Sequence, residues 1–417
     1  MSGLLSSYDM PMGRPLTHRQ AKMWPTVCRL TDIALALSLC FATVSISLMQ
    51  AAYIVAIACW LLQLYLNPHR LHLPLLIPVC GFALASLLST FTAAHPWPSL
   101  IESRNLFEWL VFYLAIDTLR SEARATLLVR LLIASATVMA FYGLWQVFEY
   151  GSTFRIAGTI GYMTLGGQLL LICTLVLSQL LFHPPSRHWF WLIPALIILL
   201  MTLAGTQTRN AWLGFIAACL ILLSLRHRVF LLGLPVLCVL VFVFAPPAVQ
   251  NRIRSFGNLQ DITVQQRLSM WRSGARITRD HPWTGVGMGV MREMEIRYRP
   301  SDAPMRPEES WGHLHNNAVQ IAAERGLIGL SCWIAIWGVF LWRGWYVYRQ
   351  SGSPGGRDTA LVAGSLACVI GFLAGGMFEY NFGDSEVVTP LYFIMALPFL
   401  TRASETASQT GTSGPLP

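Results

Sequence analysis

Apolar positions along this chain come in long unbroken blocks rather than in strict alternation, the pattern of helices solvated by lipid. Twelve blocks are legible, at 30–49, 52–66, 74–91, 99–117, 126–148, 162–182, 189–207, 210–225, 229–245, 327–346, 359–378 and 387–401. Those at 52–66 and 210–225 are short for a hydrocarbon core of about 30 Å, and predict local thinning or packing inside the bundle. One interruption is long and polar, from Pro246 to Gly326. The pattern predicts an all-α polytopic membrane protein of about 12 transmembrane helices, with one large, partly helical loop between spans 9 and 10. The expected plan is a tail (1–29), spans 1–9 (30–245), the large loop (246–326), spans 10–12 (327–401) and a Ser/Thr/Gly-rich tail (402–417) read as disordered, with no domain after it.

Composition excludes a soluble protein: 54% of residues are hydrophobic, 12% charged, and mean hydropathy is +0.53. The first 29 residues show no cleavable signal pattern and run straight into a full-length block. Charge sets the orientation. With the N-terminus in the cytoplasm, the inner segments hold Arg14, Arg19, Lys22, Arg29, Arg70, Arg120, Arg124, Arg187, Arg226, Arg228, Arg343, Arg349, Arg357 and Arg402. The short outer loops hold only Arg155 and Arg209. Long loops translocate largely regardless of charge, so the big loop is expected outside, with both tails in. An exported loop excludes nucleic acid as partner. The nine cysteines lie in or beside spans and none in the large loop, which excludes a disulfide staple or a Cys-type metal site there.

The large loop carries eleven arginines and no lysine. Guanidinium groups bind phosphate oxygens bidentately, so their position in a water-exposed segment points to a phosphate-bearing substrate. Thr263 and Gln266 have the spacing of a capping box and predict a helix through about Arg279, ended by Asp280-His281-Pro282. On that helix Leu268, Trp271, Ala275 and Thr278 form the expected apolar stripe. Arg272, Arg276 and Arg279 flank it, either binding substrate or lying on lipid headgroups. Arg267 stands apart, beside the seam. Gly285, Gly287 and Gly289 read as a mobile turn. Then comes His313-Leu-His315-Asn316-Asn317, suited to acid–base work near neutral pH, with metal ligation and packing as alternatives. No H-E-x-x-H or D-x-D accompanies it, and no metal or cofactor is expected. Arg155 and Arg209 sit at span ends, facing a cavity or snorkelling. Arg104 and Glu108 read as an internal i,i+4 ion pair, and Asp384 and Glu386 as solvated.

Three strings in order carry a resemblance: Thr208-Arg209-Asn210-Ala211; Arg267-Leu-Ser-Met-Trp271 leading to His281-Pro282-Trp-Thr-Gly285-Val-Gly287; and His313-Leu-His315-Asn316 continuing to Glu324-Arg-Gly326-Leu-Ile-Gly329. With them the chain resembles the O-antigen ligase and Wzy polymerase superfamily of bacterial envelope enzymes. The resemblance implies a GT-C-like membrane fold in the inner (cytoplasmic) membrane, with its active site facing the periplasm. It implies transfer of O-antigen from an undecaprenyl diphosphate carrier to lipid A-core oligosaccharide, inverting and metal-independent. Arg209, Arg267 and His315 fall on the family's critical positions, with Arg155, His313, Asn316, Arg272 and Arg276 expected to bind substrate. A Wzy-type polymerase and a protein O-oligosaccharyltransferase are the alternatives within the superfamily. A flippase for an anionic lipid is the alternative outside it; membrane lipids are partners in every case.

Overall fold

In lipid a backbone must satisfy its own hydrogen bonds, so each apolar block folds as a helix. The computed structural model describes residues 18–400 except 94, 120, 152, 234, 236–238, 240–241, 244–246, 256–257, 259, 305–308 and 352–357. The described residues are helical, with no strand. The helices are α1 (His18–Ala42), α2 (Ile46–Leu66), α3 (Leu76–Thr92), α4 (Pro96–Glu102), α5 (Trp109–Thr118), α6 (Glu122–Tyr150), α7 (Tyr162–Phe182), α8 (Trp189–Gly205) and α9 (Arg209–Arg226). After them come α10 (Pro247–Arg254), α11 (Ile262–Asp280), α12 (Met291–Tyr298), α13 (Asn317–Gln350), α14 (Thr359–Gly375) and α15 (Ser385–Ala396).

Six of these are long and apolar enough to cross a membrane, within α1, α2, α6, α7, α9 and α13; Leu76–Thr92, Trp189–Gly205, Thr359–Gly375 and Ser385–Phe399 are shorter apolar helices. Ile77, Phe148 and Phe190 are 86%, 87% and 85% exposed, which lipid tolerates and water does not. By contrast α7, α14 and α15 are buried nearly all round and form the centre of the bundle. The protein is a multi-pass membrane protein.

Several expectations change. Helix α1 begins at His18, inside the segment read as tail, and the first predicted span runs across the real turn at 43–45. The predicted fourth span is broken: α4, a 3₁₀ stretch at Ser103–Glu108 and α5 share it. Three residues per turn carry positions i and i+4 to different faces. Arg104 is therefore exposed, while buried Glu108 accepts a hydrogen bond from Ser385 Oγ, and the expected Arg104–Glu108 pair is not formed. The ninth predicted span falls partly outside the described residues, and Pro246 and the tail segments 1–17 and 402–417 fall wholly outside them.

Candidate active site

Everything at this site hangs on a break in α13. Gly326 has φ 65°, and a Cβ there would lie 2.2 Å from the Trp283 carbonyl oxygen. The segment Pro282–Met288 runs through the notch. Val286 and Gly287 N–H donate to the Ala323 and Glu324 carbonyls at 3.0 Å each, and Leu327 N–H to Pro282 O at 2.7 Å. Ser99 Oγ then donates to Met288 O (2.7 Å), and Arg325, buried beside Glu324, donates to Ser86 Oγ (3.0 Å). The glycine string expected to be a mobile turn is instead a packed strap, buried at Gly285 and Gly287: its positive φ angles serve close backbone packing.

The strap fixes the start of α13. Asn316 caps it, accepting from Val319 N–H at 3.0 Å while its amide donates to Met377 O at 2.8 Å. Asn317 donates to Asn381 (2.7 Å), and its own N–H to Gly376 O (2.8 Å). The histidine segment is thereby stitched to the loop between α14 and α15. From that loop Glu379 reaches back, its oxygens 2.8 and 3.0 Å from His315 Nδ1 and 3.1 Å from His313 Nε2. Arg267 Nη2 approaches the same carboxylate at 3.5 Å. One turn on, Trp271 packs against Phe378, with ring centroids 6.1 Å apart. His315 has φ 48°, rare outside glycine, a strain of about 1–3 kcal/mol that surrounding contacts must offset.

Burial works to raise the Glu379 carboxyl, but hydrogen bonds from both histidines outweigh it and hold it well below the usual carboxylate range. For His315 burial lowers the pKa, the Glu379 hydrogen bond opposes this, and the net shift is downward. At neutral pH the pair is thus a carboxylate and a neutral imidazole. Nδ1–H points at Glu379, and Nε2, which makes no hydrogen bond among the described residues, is left basic.

A second group of charges lies alongside. Arg209, first residue of α9, pairs with Asp261 at 2.7 Å. Asp261 also caps α11, accepting from Thr263 N–H at 2.9 Å; it takes the place expected of Thr263. Arg155 donates to the Thr206 and Gln207 carbonyls at 3.1 and 3.4 Å and stacks on Tyr162, 3.6 Å from the ring centroid. Arg252 of α10 donates to Gln207 O at 3.3 Å. Burial lowers the Arg155 and Arg252 pKa values, and neighbouring guanidinium groups lower them further, Arg252 to about 10. Both remain charged. Four guanidinium groups stand here against the carboxylates of Asp261 and Glu379, a standing excess of positive charge.

Other expected residues lie elsewhere. Helix α11 buries Met270, Ser273, Gly274 and Ile277, not the stripe at Leu268, Trp271, Ala275 and Thr278. Small residues decide the face because α13 packs close: a Cβ at Gly274 would lie 2.4 Å from Val319. Arg272, Arg276 and Arg279 are exposed, engaging Asp302 (2.8 Å), Tyr298 O (3.3 Å) and Asp280 (3.2 Å). Asp384 and Glu386 are half-buried rather than solvated, and burial next to Glu379 and Glu386 pushes Asp384 up to about 7.

Glu379 and Arg252 were not singled out in the sequence. The signal for Glu379 was an acid directly after an apolar block, between Phe378 and Tyr380. Arg252 had none beyond its place in the loop. Glu379 also supplies the third donor that motif spacing lacked: with His313 and His315 it forms a set whose ligand atoms lie within 4.8 Å of one another, a composition able to hold a metal ion.

Residues 194–334 match the family described as O-antigen ligase, a stretch that includes Arg209, Arg252, Arg267 and both histidines. No curated protein matches the chain. The family match supports an O-antigen ligase family member, an enzyme of the ligase or polymerase type that works on lipid-linked polysaccharide.

Proposed function

For a multi-pass membrane protein carrying an O-antigen ligase domain, we propose the ligase reaction itself. O-antigen polysaccharide passes from undecaprenyl diphosphate to lipid A-core oligosaccharide, at the periplasmic face of the inner membrane. The observation that carries this reading is the buried, strained His315 held by Glu379, beside a group of guanidinium side chains. An acceptor hydroxyl gives its proton to His315 Nε2 as its oxygen bonds to the anomeric carbon. The bond from that carbon to the diphosphate oxygen breaks, and the electron pair leaves with the diphosphate. Arg209, Arg267 and Arg155 stabilise the growing charge, a preorganised electrostatic role. Attack opposite the leaving group inverts the anomeric centre. Glu379 orients the imidazole and stabilises its protonated form; it takes no proton. Product diphosphate or water then takes the proton from Nε2.

A strain lacking the protein is expected to make lipid A-core without long O-antigen and to accumulate carrier-linked polymer, read on lipopolysaccharide gels and by carrier-lipid extraction. Chains halted at a single repeat unit would replace ligase with polymerase. Carrier-linked glycan retained on the cytoplasmic face would argue for a flippase.

The proposed orientation puts residues 246–326 outside. Ser301, exposed after α12, gives the check. Ser301→Cys should react with an impermeant maleimide in intact spheroplasts; protection there, with labelling only after lysis, would reverse the topology.

A further inference from the structure

The charges of the site are not equally committed. Arg209 meets the Asp261 carboxylate at 2.7 Å, and Arg267 meets Glu379 at 3.5 Å. Arg155 and Arg252 meet no carboxylate among the described residues. Their partners are neutral: backbone carbonyls for both, and the Tyr162 ring for Arg155. Both side chains are half-buried, so water does not fully solvate them.

They also share an anchor. Arg155 Nη2 and Arg252 Nε donate to the same oxygen, Gln207 O. Gln207 has φ 53°, one of three non-glycine residues with positive φ among the described residues. That left-handed turn ends α8 and directs the Gln207 carbonyl at two cations from two distant segments. A single carbonyl dipole does not neutralise two guanidinium charges. The two terminal amino groups of Arg252 make no hydrogen bond among the described residues. A left-handed turn that gathers two cations, neither in contact with a carboxylate among the described residues, is the arrangement a dianion or trianion would complete.

We infer that Arg252, which the family's critical positions do not include, is a donor-binding residue: with Arg155 it forms a two-guanidinium clamp, aimed by the Gln207 turn, that selects a diphosphate over a monophosphate. Arg209 and Arg267, each also paired with a carboxylate, join this clamp in stabilising the leaving group. This rests on the proposed use of a polyprenyl diphosphate donor. The crowding that pulls the Arg252 pKa down, chiefly by burial and then by Arg209 and Arg155, fits a site built to receive negative charge.

The test measures binding of a short-chain polyprenyl diphosphate and the matching monophosphate to the purified full-length protein in detergent. Wild type should prefer the diphosphate. Arg252→Gln should weaken diphosphate binding by roughly tenfold or more, as expected for loss of a charged hydrogen-bond donor. Monophosphate binding should change much less, so the preference collapses. A merely structural role would weaken both ligands alike. Arg252→Lys retains charge but not the fork, and should keep the fold and only part of the preference. If Arg252→Gln is poorly folded, the lysine variant decides. An unchanged diphosphate-to-monophosphate ratio in whichever variant folds would overturn the clamp while leaving the ligase reading intact. A wild-type protein with no preference for the diphosphate would overturn both.

Discussion

His315→Ala should reduce transfer by about 10²–10⁴-fold, the range of a general base. Polyprenyl diphosphate affinity should stay near wild type, because the imidazole acts on the acceptor proton while guanidinium groups hold the donor. His313→Ala should be milder: its ring is less buried and contacts one oxygen of Glu379, whereas His315 Nδ1 lies within hydrogen-bond range of both. The pH profile carries the sign. His315 must be neutral to accept a proton and its pKa lies below the ordinary histidine value, so activity should fall only as pH drops through that lowered value. Single-turnover assays across pH, with donor affinity measured in parallel, distinguish the roles. Loss of donor binding in His315→Ala would make the residue a diphosphate ligand. Wild-type activity abolished by a chelator and restored by one metal would turn His313, His315 and Glu379 into a metal site.

Glu379→Gln should cost nearly as much, about 10²–10⁴-fold in turnover by analogy with amide replacement in Ser-His-Asp triads. A carboxylate only accepts, so it holds His315 with the proton on Nδ1. An amide can present its NH₂ to Nδ1, which moves the ring proton to Nε2, the atom that must be basic. The same change removes the group that raises the His315 pKa and leaves burial unopposed. The acid limb of the residual activity should therefore move to lower pH, on a lower plateau. A residual activity whose acid limb stays where it is in wild type would mean that Glu379 only braces the loop. Glu379→Asp, which keeps the charge on a shorter stem, should recover part of the rate.

How far the sequence reached depended on whether the deciding forces were local. Lipid imposes helix formation on any sufficiently long apolar run, so the helical, multi-pass class was legible from the blocks alone. The grouping of residues was partly legible: Arg209 and Arg267, singled out from the sequence, stand beside Asp261 and Glu379, and Glu379 also holds the histidine pair. Errors came where backbone geometry intervened. The 3₁₀ stretch at Ser103–Glu108 separates Arg104 from Glu108, and small residues turn α11 to bury Gly274 instead of Trp271.

By itself the sequence determined the helical, membrane-spanning character of the chain and the position of the histidine motif in the large polar interruption, because each is written in one contiguous stretch. Only the tertiary structure decided which charges meet. His315 finds Glu379 across 64 positions because the α14–α15 loop folds over the start of α13. Arg252 and Arg155 converge because the carbonyl of one left-handed residue, Gln207, faces both. The glycines at 285, 287 and 289 were readable as flexible, yet the first two pack against Ala323 and Glu324 and the third against Pro98 and Glu102, which makes them a strap. A residue's conformational freedom is local, but its electrostatic partner and its packing are properties of the whole chain.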